Sequence, residues 1–173
     1  MNDHNDWGKQ MRIGSGLFCA LGLIAGFTAQ ALSAEYLEGS ARQKSRAYSP
    51  AVITEGGRTV WLAGQLALAD AEGRNLAGNF EGQVREIFRQ FDLTLKRAGG
   101  KLSDMITMTV FINDPRNGDR FVEMRRDYFP DGHYPGSALI TVSNFAVPGV
   151  AIEIQGVAVI GDKCSNASPC SPR

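Results

Sequence analysis

Histidine and cysteine are almost missing from this 173-residue sequence. The histidines are His4 and His133; the cysteines are Cys19, Cys164 and Cys170, none of them mid-chain. A zinc site of three or four Cys/His ligands, an iron–sulfur cluster and a Cys/His nucleophile pair are therefore all poorly supplied. Charge of one sign is lacking as well. Eighteen basic residues balance eighteen acidic ones, so nothing in the composition draws the chain to nucleic acid or to an anionic membrane surface. No phosphate-binding Gly-x-x-x-x-Gly-Lys-Ser/Thr, dinucleotide-binding Gly-x-Gly-x-x-Gly or Gly-x-Ser-x-Gly nucleophile turn occurs. No cofactor and no metal are expected.

What is present begins with a leader. Residues 13–34 (IGSGLFCALGLIAGFTAQALSA) carry no charge, follow Arg12 and end in small side chains. A basic start, an apolar centre and a small-residue end make a secretory signal. Two cleavage points fit, after Ala29-Gln30-Ala31 or after Leu32-Ser33-Ala34, and either Met1 or Met11 could initiate the chain. An uncleaved span is the competing reading, but Gly, Ser, Thr and Gln within the run favour cleavage. The protein is thus expected in the periplasm or outside the cell, without a stable membrane anchor. Removing residues 1–34 of 173 leaves 139, a single-domain size. Residues 35–46 read as a polar linker, 47–162 as the domain, and 163–173 as a flexible tail. In that tail Cys164 and Cys170 could pair in an oxidising compartment.

Within the domain, Ala51–Thr54 and Thr59–Ala67 read as a hairpin around Glu55-Gly56-Gly57-Arg58. Val84, Ile87, Phe88, Phe91 and Leu95 recur at three and four, which predicts a helix over Phe80–Ala98 with Asn79 as N-cap and Gly99-Gly100 as stop. Met105–Ile112 reads as a buried strand. Asp119–Phe129 reads as a second helix with Phe121, Met124 and Tyr128 on one stripe. Ser137–Val142 and Val150–Ile160 are the last strands. The expected fold class is α+β, with two helices on one face of a mixed β-sheet. Two helices cover only one side, while Trp61, Ala63 and apolar residues of Met105–Ile112 remain for the other. That face is expected to bury itself against further copies of the chain.

Several segments together resemble a known family. They are Tyr48-Ser49-Pro50-Ala51-Val52, Leu62-Ala63-Gly64-Gln65, Gln83, Ala98-Gly99, Ser103-Asp104, Thr109-Val110-Phe111, Tyr128-Phe129-Pro130-Asp131-Gly132, Tyr134-Pro135 and Ile152-Glu153-Ile154. In order and spacing these resemble the Rid family, also called the YjgF/YER057c/UK114 or "endoribonuclease L-PSP" group, of which RidA-like proteins are members. The resemblance implies a chorismate-mutase-like homotrimer with a central barrel and ligand clefts between subunits. It also implies hydrolysis of imines and enamines derived from amino acids, with an arginine gripping the substrate carboxylate and a glutamate handling water or a proton.

Carried over position by position, the likeness places Tyr48, Ala63, Gly64, Ser137 and Gln155 in the cleft. Tyr48 agrees with the family's tyrosine. Ser137 stands where the arginine is expected, Ala63 where a serine is, Gln155 where the glutamate is, and Val122 where an asparagine often lies. Ser137 offers a hydroxyl for a permanent charge, and Gln155 cannot take up a proton. The sequence therefore points to a cleft that holds a small metabolite by uncharged hydrogen bonds, without the usual 2-imino acid deaminase activity. Arg125 and Arg126 are read as solvated helix residues rather than replacement cations. The competing reading is a divergent imine or enamine hydrolase using His133 or bound water. The ribonuclease reading attached to the family name suits neither the zero net charge nor a single histidine after cleavage.

Overall fold

The computed structural model describes residues 34–164, together with 169 and 170. The proposed signal, apart from Ala34, lies outside the described residues. The elements in chain order are β1 (Glu35–Tyr36), α1 (Ala41–Ser45), β2 (Val52–Ile53), β3 (Arg58–Gln65), α2 (Phe80–Arg97), β4 (Met105–Ile112), α3 (Asn117–Tyr128), β5 (Gly136–Thr141) and β6 (Ile152–Ile160). A single 3-10 turn, Leu102–Asp104, leads into β4.

The main sheet runs β3-β6-β4-β5, with β4 and β5 parallel and the other neighbours antiparallel. It is a mixed sheet, as expected, with α2 and α3 on one face. The apolar stripe of α2 drives that packing. Val84, Ile87, Phe88, Phe91 and Leu95 meet Met108, Val110 and Ile112 of β4 and Ile152, Ile154 and Ala158 of β6 in one core. From α3, Phe121 and Met124 join it, and the rings of Phe88 and Tyr128 stack 3.9 Å apart. Truncating a fully buried ring such as Phe88 to alanine costs about 3–5 kcal/mol.

Both ends of α2 follow the local chemistry. Asn79 Oδ1 accepts from the Gly82 amide at 3.0 Å. At the other end the Gly99 and Gly100 amides donate to the Lys96 and Leu95 carbonyls, and Gly99 takes φ +80°. This is a Schellman stop, which glycine enters without steric cost.

Two expectations need correction. The hairpin does not form: β2 pairs with β1, and the long strand β3 pairs along its length with β6 instead. Positive φ at both Gly56 and Gly57 turns the chain between β2 and β3, so the two strands enter different sheets. Residues 35–46 are not a linker either, since they supply β1 and α1, and Tyr36 is buried. The chain end is tied to the same region. Cys164 and Cys170 form a disulfide, the Cys170 amide donates to Glu35 at 3.0 Å, and the Lys163 amide donates to the Glu55 carbonyl at 3.0 Å. In its described residues the tail is therefore anchored to the domain.

Candidate functional site

Pleating sorts the strand residues onto two faces. On β6, Ile152, Ile154, Gly156 and Ala158 are buried toward the helices, while Glu153, Gln155 and Val157 face the other way. Register then fixes their neighbours: Thr109 lies opposite both Gln155 and Ala138, and Met108 opposite both Gly156 and Ser137. Gln155 thus belongs to the open face and Ser137 to the helix-covered face.

The sequence-derived cleft is accordingly divided within one protomer. Tyr48 and Ser137 meet in a depression of about 260 Å³ at the β5 edge, lined also by Arg42, Arg46, Val122, Arg125 and Leu139. Gln155 lines a smaller one of about 180 Å³ on the open face, beside Trp61, Thr107, Thr109 and Val157. Ala63 and Gly64 are exposed on β3, at the register irregularity between Leu62 and Gln65. The Glu153 carboxylate lies so close over Gly64 that a side chain there would strike it. Strands β3 and β5 are opposite edges of the sheet, three strand spacings or about 14 Å apart.

His133 lines neither depression. It is half-buried, and its ring packs against Tyr36 with centroids 5.1 Å apart. Burial, with Asp104 and Asp162 adding to it, raises the pKa of Tyr36 to about 12.

The β5-edge depression is not the uncharged site that the substitutions suggested. Arg125, read as solvated, is only 2% exposed. Its Nη1 donates to Ser137 Oγ at 2.7 Å and its Nη2 to the Arg46 carbonyl at 2.6 Å. Its neighbour Arg126 donates to the Ser45 carbonyl at 2.6 Å and to the Tyr134 hydroxyl at 3.3 Å. Together the two guanidiniums take up the last carbonyls of α1, groups that a helix end leaves without partners. The chain then turns sharply through Ala47, which is buried and left-handed at φ 52°. That conformation costs an alanine about 1 kcal/mol, and it delivers Tyr48 to the depression.

Burial, reinforced by the nearby charges of Arg46 and Arg126, pushes the Arg125 pKa down to about 10. No carboxylate among the described residues lines this depression. Arg46 has an ion pair with Asp119, but among the described residues no carboxylate pairs with Arg125. A weak signal for its burial existed in the sequence. Arg125 stands four residues after Phe121, on the margin of the apolar stripe, and its guanidinium carbon sits 5.2 Å from that ring's centroid. Among the described residues no group of three His, Cys, Asp or Glu side chains could hold a metal ion.

Comparison with known proteins agrees with this architecture. The family model described as Endoribonuclease L-PSP matches residues 39–160. A RutC family protein of Aquifex aeolicus is 32% identical over 113 residues, which span 65% of this chain and 87% of the relative. Another, from Pyrococcus horikoshii, is 28% identical over 111 residues, 64% of this chain and 85% of that one. Among solved structures, a protein of unknown function of the conserved Rid family from Yersinia pestis superimposes with a TM-score of 0.66 at 20% identity. It covers 74% of this chain and 99% of its own. A member of the YjgF/YER057c/UK114 family from Mycobacterium tuberculosis gives 0.51 at 23% identity, covering 73% and 98%. At such identities the structural likeness speaks for the fold alone.

Proposed function

The chain belongs to the endoribonuclease L-PSP family, the Rid or YjgF/UK114 group, and from that premise we propose that it is an exported homotrimer binding a small metabolite in clefts between its subunits. It does so without the 2-imino acid deaminase activity of the best-known family members. The observation that carries this reading is the split site. Tyr48 and Ser137 open at one edge of the sheet, and Gly64 and Gln155 face away on the other side. A second protomer laid across the β5 edge would bring one set to the other.

Trp61, 80% exposed on the open face, supports the same assembly. Against deamination stand Ser137 and Gln155 at the positions of the family's arginine and glutamate. The engagement of His133 with Tyr36, away from both depressions, weighs against the hydrolase alternative. Export to the periplasm or beyond is supported by the uncharged run 13–34 and by the Cys164–Cys170 disulfide, a bond that persists in oxidising compartments.

Native mass spectrometry of the periplasmic fraction tests the assembly. The expected result is a trimer of a chain lacking about the first 31–34 residues; a monomer refutes it. An ammonia-release assay with freshly generated 2-aminoacrylate tests the chemistry. Turnover well above buffer that disappears in Gln155→Ala or His133→Ala overturns the binding-only reading.

A further inference from the structure

We infer that the Cys164–Cys170 pair is a thiol–disulfide exchange site, in which Cys170 meets the outside sulfur and Asp162 takes and returns the proton of Cys164. The pair lines neither of the two depressions described above. Its two sulfurs are unlike each other. Cys164 is only 3% exposed, whereas Cys170 is half-buried, and exchange goes through the sulfur that a partner can reach. Cys164 is also held in place. Its amide donates to Asp162 Oδ1 at 2.9 Å, and the Lys163 amide before it donates to the Glu55 carbonyl at 3.0 Å.

The contact that carries the inference is between Asp162 and the buried sulfur. Asp162 Oδ1, which also accepts from the Glu55 amide at 3.1 Å, lies 3.0 Å from Cys164 Sγ. That is within the reach a general base needs. Asp162 Oδ2 is buried and has no hydrogen-bond partner among the described residues, which leaves an oxygen open to hold a proton. A thiol that is buried and beside a carboxylate gives up its proton poorly to water, yet only the thiolate attacks a disulfide. A base in contact removes that obstacle. The Ile53 carbonyl, 3.8 Å from the same sulfur, is no base. The other ionisable groups around Asp162 have their own engagements. Glu35 accepts from the Cys170 amide at 3.0 Å, Asp104 accepts from the Lys101 amide at 2.8 Å, and the Lys163 side chain passes over Gly56. Tyr36, its pKa raised to about 12, keeps its proton throughout the neutral range.

In closure, the Cys170 thiolate attacks one sulfur of a small disulfide such as oxidised glutathione, whose S–S bond breaks and releases one thiol. The Cys164 thiol then passes its proton to Asp162 as its sulfur attacks Cys170 Sγ. The mixed S–S bond breaks, and the second thiol leaves with the proton that Asp162 returns. Two thiols of the chain are oxidised and one outside disulfide is reduced, a transfer of two electrons and two protons. Opening by two outside thiols runs the same steps backward. Closure fastens the chain end across β1 and β2, two-residue strands too short to be stable by themselves.

The test uses the purified chain carrying Cys19→Ser as the parent, reduced and then mixed with oxidised glutathione. Acid quenching and mass spectrometry resolve the mixed disulfide and follow its conversion to the closed form. In Cys164→Ser, glutathione is expected on Cys170; in Cys170→Ser, Cys164 should take it up at least about tenfold more slowly. Closure of the parent is expected to vary less than about threefold from about pH 6 to about pH 7.5, because its base is already in contact. Asp162→Asn keeps an oxygen for the two backbone amides but cannot take up a proton. Its closure should be about ten- to a hundredfold slower at about pH 6.5 and should rise nearly tenfold per pH unit. Equal uptake of glutathione at the two cysteines overturns the inference. A parent rate that climbs about tenfold per pH unit does the same, and that reading requires no variant to fold. An Asp162→Asn chain that closes as fast as the parent, with the same pH profile, also overturns it.

Discussion

Replacing Trp61 with glutamate should dissolve the proposed assembly and leave the protomer folded. The indole projects from β3 on the face that the helices do not cover and is 80% exposed in the single chain. A buried tryptophan removes about 150–250 Å² from water. Covering the exposed four-fifths therefore withdraws roughly 120–200 Å², or about 3–5 kcal/mol per protomer at ~25 cal/mol per Å². Part of that gain is spent on ordering and association, but a central aromatic anchor commonly carries a large share of an interface's energy. Glutamate forfeits this term and adds a carboxylate that must be desolvated on contact. Subunit affinity should fall by about two to four powers of ten. Size-exclusion chromatography with light scattering at micromolar concentration reads the mass, and circular dichroism reads the fold. A Trp61→Glu protein that remains trimeric refutes the assignment of this face to the interface. A variant that unfolds refutes the claim that Trp61 contributes nothing to the protomer's own core.

Two further outcomes follow from buried polar groups. Gln83 is fully buried; its amide nitrogen donates to the Leu76 and Gly149 carbonyls and its oxygen accepts from the Ala151 amide, all at 2.8 Å. In Gln83→Leu both carbonyls keep a second donor, Asn79 and Gly78 respectively, but the Ala151 amide is orphaned. The expected cost is about 1–3 kcal/mol, roughly 4–12 °C in melting temperature for a domain of this size; an unchanged melting curve contradicts it. Tyr36 has its pKa raised from 10.0 to about 12, chiefly by burial. The folded chain holds this proton more tightly than the unfolded one, so its contribution is whole below about pH 10 and drains away as pH climbs toward 12. Thermal melts across that interval should show a steeper decline for the wild type than for Tyr36→Phe, and parallel declines would contradict the assignment.

Much of the fold was legible because its signals are local. The three-and-four spacing of Val84, Ile87, Phe88, Phe91 and Leu95, with Asn79 before it and two glycines after it, predicts α2 to within a residue of its observed end. The unbroken run MITMTVFI marks β4 at its observed bounds. Alternation along β6 places Glu153 and Gln155 on the face opposite Ile152 and Ile154. The hairpin failed for a reason of the opposite kind. Glycines at 56 and 57 announce a turn, but a turn does not say which strands it joins. Val52–Ile53 found its partner in Glu35–Tyr36, far up the chain.

The sequence by itself determined the two helices, the strands of the main sheet, the family likeness, and a second sheet face that two helices could not cover. Each of these is written in periodicity or in residues close together along the chain. Only the tertiary structure decided that Tyr48 and Ser137 share a depression while Gln155 lies on the opposite face. Only it withdrew Arg125 from solvent, between the end of α1 and the edge of β5. A helical pattern tells which side of α3 is apolar, and it is silent on which backbone carbonyls will lie across from a residue at the margin. The charge of this site came from packing between elements some eighty residues apart in sequence, a relation that no local spacing encodes.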